Sequence, residues 1–187
     1  MGVAERESPA REGGAADFVD RLATARIGAT YNQYSGSPTR RDRLERYLDE
    51  RRNAPFLLVG EAPGYRGTRV SGIPLTSERQ LTGTGPAEAT ATIVHRTLAE
   101  LGLEAEVLLW NVVPTHPHRP GKPDSNRRPT RVEIEQSSGF LAELARGRRA
   151  IPLGRLAHEQ LGGEYIRHPA QGGAVAFRAG LIVALGR

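Results

Sequence analysis

Residues 56–72, FLLVGEAPGYRGTRVSG, open as a buried strand and then change character. Phe56, Leu57, Leu58 and Val59 form a continuous apolar run of the kind found in strands covered on both faces. Gly60-Glu61-Ala62-Pro63-Gly64 then sets a carboxylate between two glycines, with a proline before the second. Glycine and proline specify a tight turn. The acid is therefore carried out of the core at one defined place, the end of a strand.

Working outward, the same pattern recurs. Glu106–Val113 (EVLLWNVV) is a second buried strand, Arg149–Leu153 a third, and Tyr165–His168 a candidate fourth. Ala15–Ile27 and Arg40–Arg52 carry apolar residues at helical spacing ahead of the first strand. Pro86–Leu101 reads as a helix with a proline in its first turn and Gly102 at its end. Pro129–Gly147 reads as another, with Thr130 and Glu133 as a capping box. Arg155–Leu161 is a short helix, and 174–185 a closing helix or strand. Residues 1–14 are polar and glycine-rich, an expected disordered tail, which leaves 15–187 as one domain. Strands alternating with helices imply an α/β layered domain with a mainly parallel sheet.

In such sheets ligands bind beyond the carboxyl ends of the strands. Three strand ends carry polar residues here: Glu61 in its turn, Asn111 after Trp110, and His168 before Pro169. Trp110 itself reads as core.

Composition narrows the chemistry. The 187 residues include no cysteine, so disulfides, thiolate metal sites and iron–sulfur clusters are excluded. No apolar run approaches the length of a membrane span, and MGVAERESPAREGGAAD has neither a signal-peptide core nor a myristoylation pattern. A soluble cytoplasmic protein, expected to be monomeric, without membrane attachment and without a cofactor, is the resulting expectation. The formal charge is +5, unevenly spread: residues 110–149 hold eight cations and four anions, whereas 54–109 hold four and six. Such a basic segment suits a polyanionic partner; a solvated basic loop is the alternative.

GEAPG, a strand ending in Asn, and HP before a flexible turn together resemble the uracil-DNA glycosylase superfamily. The GEAPG form is most similar to its bacterial and archaeal branch that usually carries an iron–sulfur cluster. The resemblance runs through NVVPTHPHRPGKPDSNRRPTRVEIE, with its NR-P-x-x-x-E ending, to RHPAQGG, about residues 56–175. It implies a three-layer α/β/α sandwich around a mostly parallel four-stranded sheet. It also implies a monofunctional DNA glycosylase acting on uracil or a related damaged base, leaving an abasic site, with DNA as partner. The only lysine, Lys122, lies in the basic loop, so no lyase step is expected. Two departures stand out. The four cluster cysteines are absent, and the aromatic that stacks on the base is replaced by Leu75, in Gly72-Ile73-Pro74-Leu75.

Base removal develops negative charge on the departing base and positive charge on the sugar. By resemblance, Glu61 positions the water and stabilises the sugar cation; the alternative is a carboxylate that caps its own turn. In well-studied relatives an Asp one position later activates water, where this chain has Ala62. Asn111 would read N3–H and O4 of uracil, its amide supplying both an acceptor and donors; a turn-forming asparagine is the alternative. His168 would donate to O2 of the leaving base. Ala62 and Gly64 would bring backbone against the base. Gly64 also replaces the tyrosine that blocks the 5-methyl of thymine in relatives, so tolerance of 5-substituted uracils is expected unless Tyr65 folds over that edge. Arg119, Lys122, Arg127 and Arg128, with His116 and His118, would hold phosphates, as would Ser71 and Thr76-Ser77 unless they are turn residues. Gln171 would fill the gap left by a flipped nucleotide. A relative that traps its product covalently uses a histidine near the position of Asn126, so ordinary turnover is expected here. The rival reading is a catalytically silent nucleic-acid-binding relative. An unrelated nucleotide hydrolase would need a metal cluster or G-x-x-x-x-G-K, and neither is in the sequence.

Overall fold

The computed structural model describes residues 14–170 and 172–186. Except for Gly14, the expected tail lies outside the described residues, as does Gln171. Three parallel strands, β1 (Phe56–Gly60), β2 (Val107–Asn111) and β3 (Arg149–Pro152), form a sheet of order β2-β1-β3. Phe56 pairs with Val107 and with Arg149, so all three strands run out at the same edge.

Alternation along the strands sorts two cores. Leu57, Val59, Leu108 and Trp110 face one way, against Phe18, Val19 and Leu22 of α1 (Ala15–Thr24), Leu44 and Leu48 of α2 (Pro38–Glu50), and Leu141 and Leu144 of α6 (Arg131–Ala145). Leu58, Val107, Leu109 and Ile151 face the other way, against Val94 and Leu98 of α5 (Ala89–Glu100) and Phe177 and Leu181 of α8 (Ala174–Leu185). This is the three-layer sandwich. Trp110 is fully buried and meets Phe18 edge to face, 5.5 Å between centroids. On the outer edge of β2 the Leu109 N–H donates to the Tyr47 hydroxyl at 2.7 Å.

The expected fourth strand shrinks to one bridge between Leu153 and Ile166. Gly162-Gly163 and Pro169 close in on it from both sides, and proline offers no N–H to extend a ladder. The closing segment is a helix, with Phe177, Leu181, Ala184 and Leu185 buried at helical spacing. Helix α5 begins at Ala89 rather than near Pro86, because the Pro86 carbonyl accepts from Arg79 N–H and Glu88 is extended. Two short helices lack a readable apolar period: α3 (Thr68–Ser71) and α4 (Glu78–Thr82), the latter opened by a Ser77–Gln80 capping box. Helix α7 (Arg155–Leu161) follows β3 directly. No helix among the described residues is long and apolar enough to cross a membrane.

Candidate active site

A cavity of about 390 Å³ opens beyond the strand ends, lined by Glu61, Ala62, Gly64, Leu75 and His168, together with Glu88, Asn126 and Arg155 among others. With Arg127, which also lines it, six of the expected site residues share this space.

Asn111 ends β2 behind Leu75, a lining residue, and is not itself part of the lining. It is 1 % exposed, and neither its Nδ2 nor its Oδ1 has a partner. Its room is made by Gly60, the residue it pairs with across the sheet. A Cβ on Gly60 would stand 3.0 Å from both Asn111 Oδ1 and Leu75 Cδ2. Leu75 is held there with φ 51°, a left-handed conformation that a branched side chain adopts only under constraint. Its N–H is bound by Thr68 Oγ1 at 3.1 Å. The apolar residue at the expected stacking position is thus fixed beside an unpaired amide.

Glu61 follows β1 with its carboxylate free of any hydrogen bond or ion pair to the described residues, so it does not cap its own turn. Burial pushes its carboxyl above the ordinary range; nearby Arg128 pulls it back and Glu159 pushes it further up. A half-buried carboxylate raised in this way is a stronger proton acceptor.

His168 faces the same space from beside β3. The Ala170 N–H donates to its Nδ1 at 3.3 Å, so in the neutral ring Nε2 carries the proton and is left to donate. Burial lowers the pKa of the ring, which keeps it neutral. The turn that sets this is wound tightly: a Cβ on Gly173 would come within 3.2 Å of the Ala170 carbonyl oxygen.

The basic segment divides into two roles. Arg119 and Lys122 are exposed at a loop tip and pair with no carboxylate among the described residues. Arg128 is exposed and pairs with exposed Glu159 at 2.6 Å. Arg127 is different. Its guanidinium binds both oxygens of Glu133, at 2.5 and 2.7 Å, and the carbonyls of His118 and Arg128. Glu133 is 1 % exposed and also accepts from the N–H groups of Thr130 and Ala29. Arg127 is therefore a latch at the cavity wall, its guanidinium committed to a buried carboxylate where a free phosphate contact was expected. His116 is buried too, with Nδ1 2.7 Å from the Pro63 carbonyl. Ser71 is corrected likewise: its hydroxyl is fully buried and donates to backbone carbonyls of its own turn. Thr76 and Ser77 are spent on internal bonds as well. With no cysteine to ligate a cluster, His116, Asn126 (Oδ1 to Tyr65 N–H, 3.0 Å) and the Arg127–Glu133 latch hold these loops.

Two lining residues, Arg155 and Glu88, escaped the sequence reading, and the wall role of a third, Asn126, did too. Arg155 opens α7, exposed at the pocket; a Gly154 turn straight after a strand was the available signal. Asn126 serves in the wall through its bond to the Pro63–Gly67 turn. Glu88 gave no signal, since it lies in a stretch of ordinary helix-start composition.

A family model described as the uracil DNA glycosylase superfamily matches residues 47–185. Among solved structures, the crystal structure of wild-type Pedobacter heparinus SMUG2 aligns with a TM-score of 0.70 at 13% identity, over 92% of this chain and 97% of that one. At that identity the likeness is one of fold. No curated protein sequence matches the chain. A model that spans most of the chain, over the strand ends, the unpaired amide and the histidine turn described above, places it: this chain belongs to the uracil DNA glycosylase superfamily.

Proposed function

We propose that the chain is a monofunctional DNA glycosylase that hydrolyses the N-glycosidic bond of uracil, or of a closely related damaged pyrimidine, and leaves an abasic site. The observation that carries this reading is the Asn111 amide, buried beside the lining residue Leu75 with both polar atoms unpaired. Leaving such a group unsatisfied costs about 1–3 kcal/mol, which a ligand with a matching donor and acceptor recovers. Uracil N3–H and O4 form that match, against the Asn111 carbonyl and amide N–H in turn.

The reaction then divides among three groups. The C1′–N1 bond breaks and its electron pair stays on the base, where the His168 Nε2–H meets the charge growing on O2. Water attacks C1′ from the side of Glu61, which accepts the water proton and faces the positive sugar. The new C1′–OH completes the abasic product. With no lysine at the pocket, no Schiff base forms. Leu75 and the backbone of Ala62 and Gly64 fill the faces of the extruded base. Cytoplasmic repair by a single copy acting on DNA is the setting this chemistry suits.

The test is base release from a uracil-containing oligonucleotide, read as strand cleavage after alkali. Release with a uracil-free control left intact is the expected result. Tight binding without release would leave a silent DNA-binding member of the superfamily instead.

The division of the basic segment makes a second prediction. Arg119→Ala combined with Lys122→Ala should reduce the slope of log affinity against log salt by about two for duplex DNA, since each phosphate contact contributes about 0.9. Preference among bases should stay put. An unchanged slope, measured by fluorescence anisotropy with a non-cleavable analogue, would place the DNA on another surface.

A further inference from the structure

Glu88 is the second carboxylate in the pocket and has no part in the reaction just derived. It stands at the N-cap position of α5, yet its side chain makes no capping bond. No hydrogen bond or ion pair joins that carboxylate to any described residue. It is turned instead onto the Pro63–Gly67 turn. Its Cδ lies 2.9 Å from the point a Cβ would occupy on Gly64, and 2.9 Å from the same point on Gly67. Neither position could carry a side chain with Glu88 so placed; the two glycines are its seat. Burial pushes the carboxyl above its ordinary range, as befits a charge with no counter-ion.

Where this seat lies relative to a bound base follows from what ties the turn down. The loop after β2 reaches the segment three times: His116 to Pro63, Asn126 to Tyr65, and Asp124 to Arg69. The seat therefore stands on the β2 side of the pocket. His168 stands on the β3 side, its Cβ 3.6 Å from where a Cβ on Gly154 would be. A pyrimidine with O2 toward His168, and N3–H and O4 toward Asn111, points C5 away from His168, because C5 lies across the ring from C2. That edge meets Glu88. The edge expected to stand open at Gly64 is thus occupied, by a residue far along the chain. Tyr65 does not fold over it; its ring lies beneath the Arg66 guanidinium.

We propose, resting on the reading of the site given above, that Glu88 determines specificity at C5, admitting pyrimidines whose 5-substituent donates a hydrogen bond and turning away those that do not. A 5-hydroxymethyl O–H donates to the carboxylate and supplies the partner it lacks. A methyl group would strip water from a charged oxygen and return nothing. A formyl oxygen would face it with like polarity. Uracil itself leaves room for water.

The experiment compares single-turnover release of uracil, 5-hydroxymethyluracil, 5-formyluracil and thymine from otherwise identical oligonucleotides. It uses the wild-type chain, Glu88→Ala and Glu88→Gln. The wild type should release 5-hydroxymethyluracil within about tenfold of uracil, and thymine and 5-formyluracil at least about tenfold more slowly than that. Glu88→Ala should lower 5-hydroxymethyluracil release by about tenfold or more, with uracil changed by less than about threefold. Glu88→Gln keeps the shape and adds an N–H donor, so 5-formyluracil should gain on 5-hydroxymethyluracil. If both variants change all bases by one common factor, Glu88 only supports its turn and the proposal falls. If the wild type releases thymine as readily as 5-hydroxymethyluracil, it falls as well. A wild type that releases no base would overturn the glycosylase reading and this proposal together, whereas uracil release with unaltered ratios overturns this one alone.

Discussion

Asn111→Asp should release uracil about 10- to 1,000-fold more slowly than the parent chain, with its fold and DNA affinity little changed. In the reading proposed above, the amide accepts from N3–H and donates to O4 together. An ionised aspartate keeps the shape, offers two acceptors, and faces O4 with like polarity. One buried hydrogen bond lost with its partner left unpaired costs about 1–3 kcal/mol, more when a charge is involved. The surroundings sharpen the expectation, since at 1 % exposure no water can easily substitute. Cytosine, whose exocyclic amine donates, should gain relative to uracil, although its N3 lone pair favours the protonated acid. His168→Ala should slow release of both bases without changing their ratio, because O2 is common to them. Single-turnover rates on uracil and cytosine oligonucleotides read all of this. Wild-type release and selectivity in Asn111→Asp would make Asn111 a turn residue and remove the basis of the assignment.

The second large effect is on stability. Glu133→Gln should destabilise the fold by about 3 kcal/mol at neutral pH, toward the lower end for breaking a buried ion pair because Arg127 keeps 20 % exposure. For a domain of this size that is a fall in Tm of about 6–12 °C. The effect should be pH-dependent in a definite sense. Burial alone would push the Glu133 carboxyl up, but hydrogen bonds from Arg127 and Thr130, the Arg127 charge and the Ala29 N–H outweigh it and bring the pKa down to about 2 from 4.5. A carboxyl depressed on folding contributes stability that is complete above its unfolded pKa and is lost as pH falls through the folded one. The difference between wild type and Glu133→Gln should therefore be full above about pH 5 and shrink toward zero as pH approaches about 2. Urea denaturation at neutral pH and at pH 3 measures it. A gap that stays constant across that range would show that the lost contact is packing rather than charge.

That latch shows where sequence reasoning reaches and where it stops. The NR-P-x-x-x-E run was legible as a motif, and Thr130 with Glu133 as a capping box, which the structure shows. What the run does was not legible. Glu133 lies six residues from Arg127 in the chain, but its other partner, Ala29, comes from a distant loop. An arginine committed to a buried carboxylate and one free for phosphate look alike in a line of letters. Ser71 was misread for the same reason: a hydroxyl near a turn declares its type, not its burial. The strands were easier, because a continuous apolar run ending in Gly-Glu or Trp-Asn admits few other readings. So were the ends of β1 and β2, since parallel strands in one layer must finish on one side; the third polar end, His168, follows a single bridge rather than the expected strand. Glu88 was beyond reach altogether, because its meaning lies in two glycines more than a helix length away in sequence and in contact only through the fold.

The hydroxyl of Tyr47 bears on something other than the pocket. A parallel strand at the rim of a sheet exposes a row of unpaired backbone groups, and such a row is a template onto which a strand from another molecule can add. β2 stands at that position, strongly apolar, and all five of its residues are buried. Its middle residue, Leu109, has its N–H taken by Tyr47, so the row is broken where a docking strand would need it continuous. The phenol holds that place under strongly basic conditions too, since burial raises its pKa well above that of a free tyrosine. One side chain on α2 thus works against fibrillar growth along the sheet.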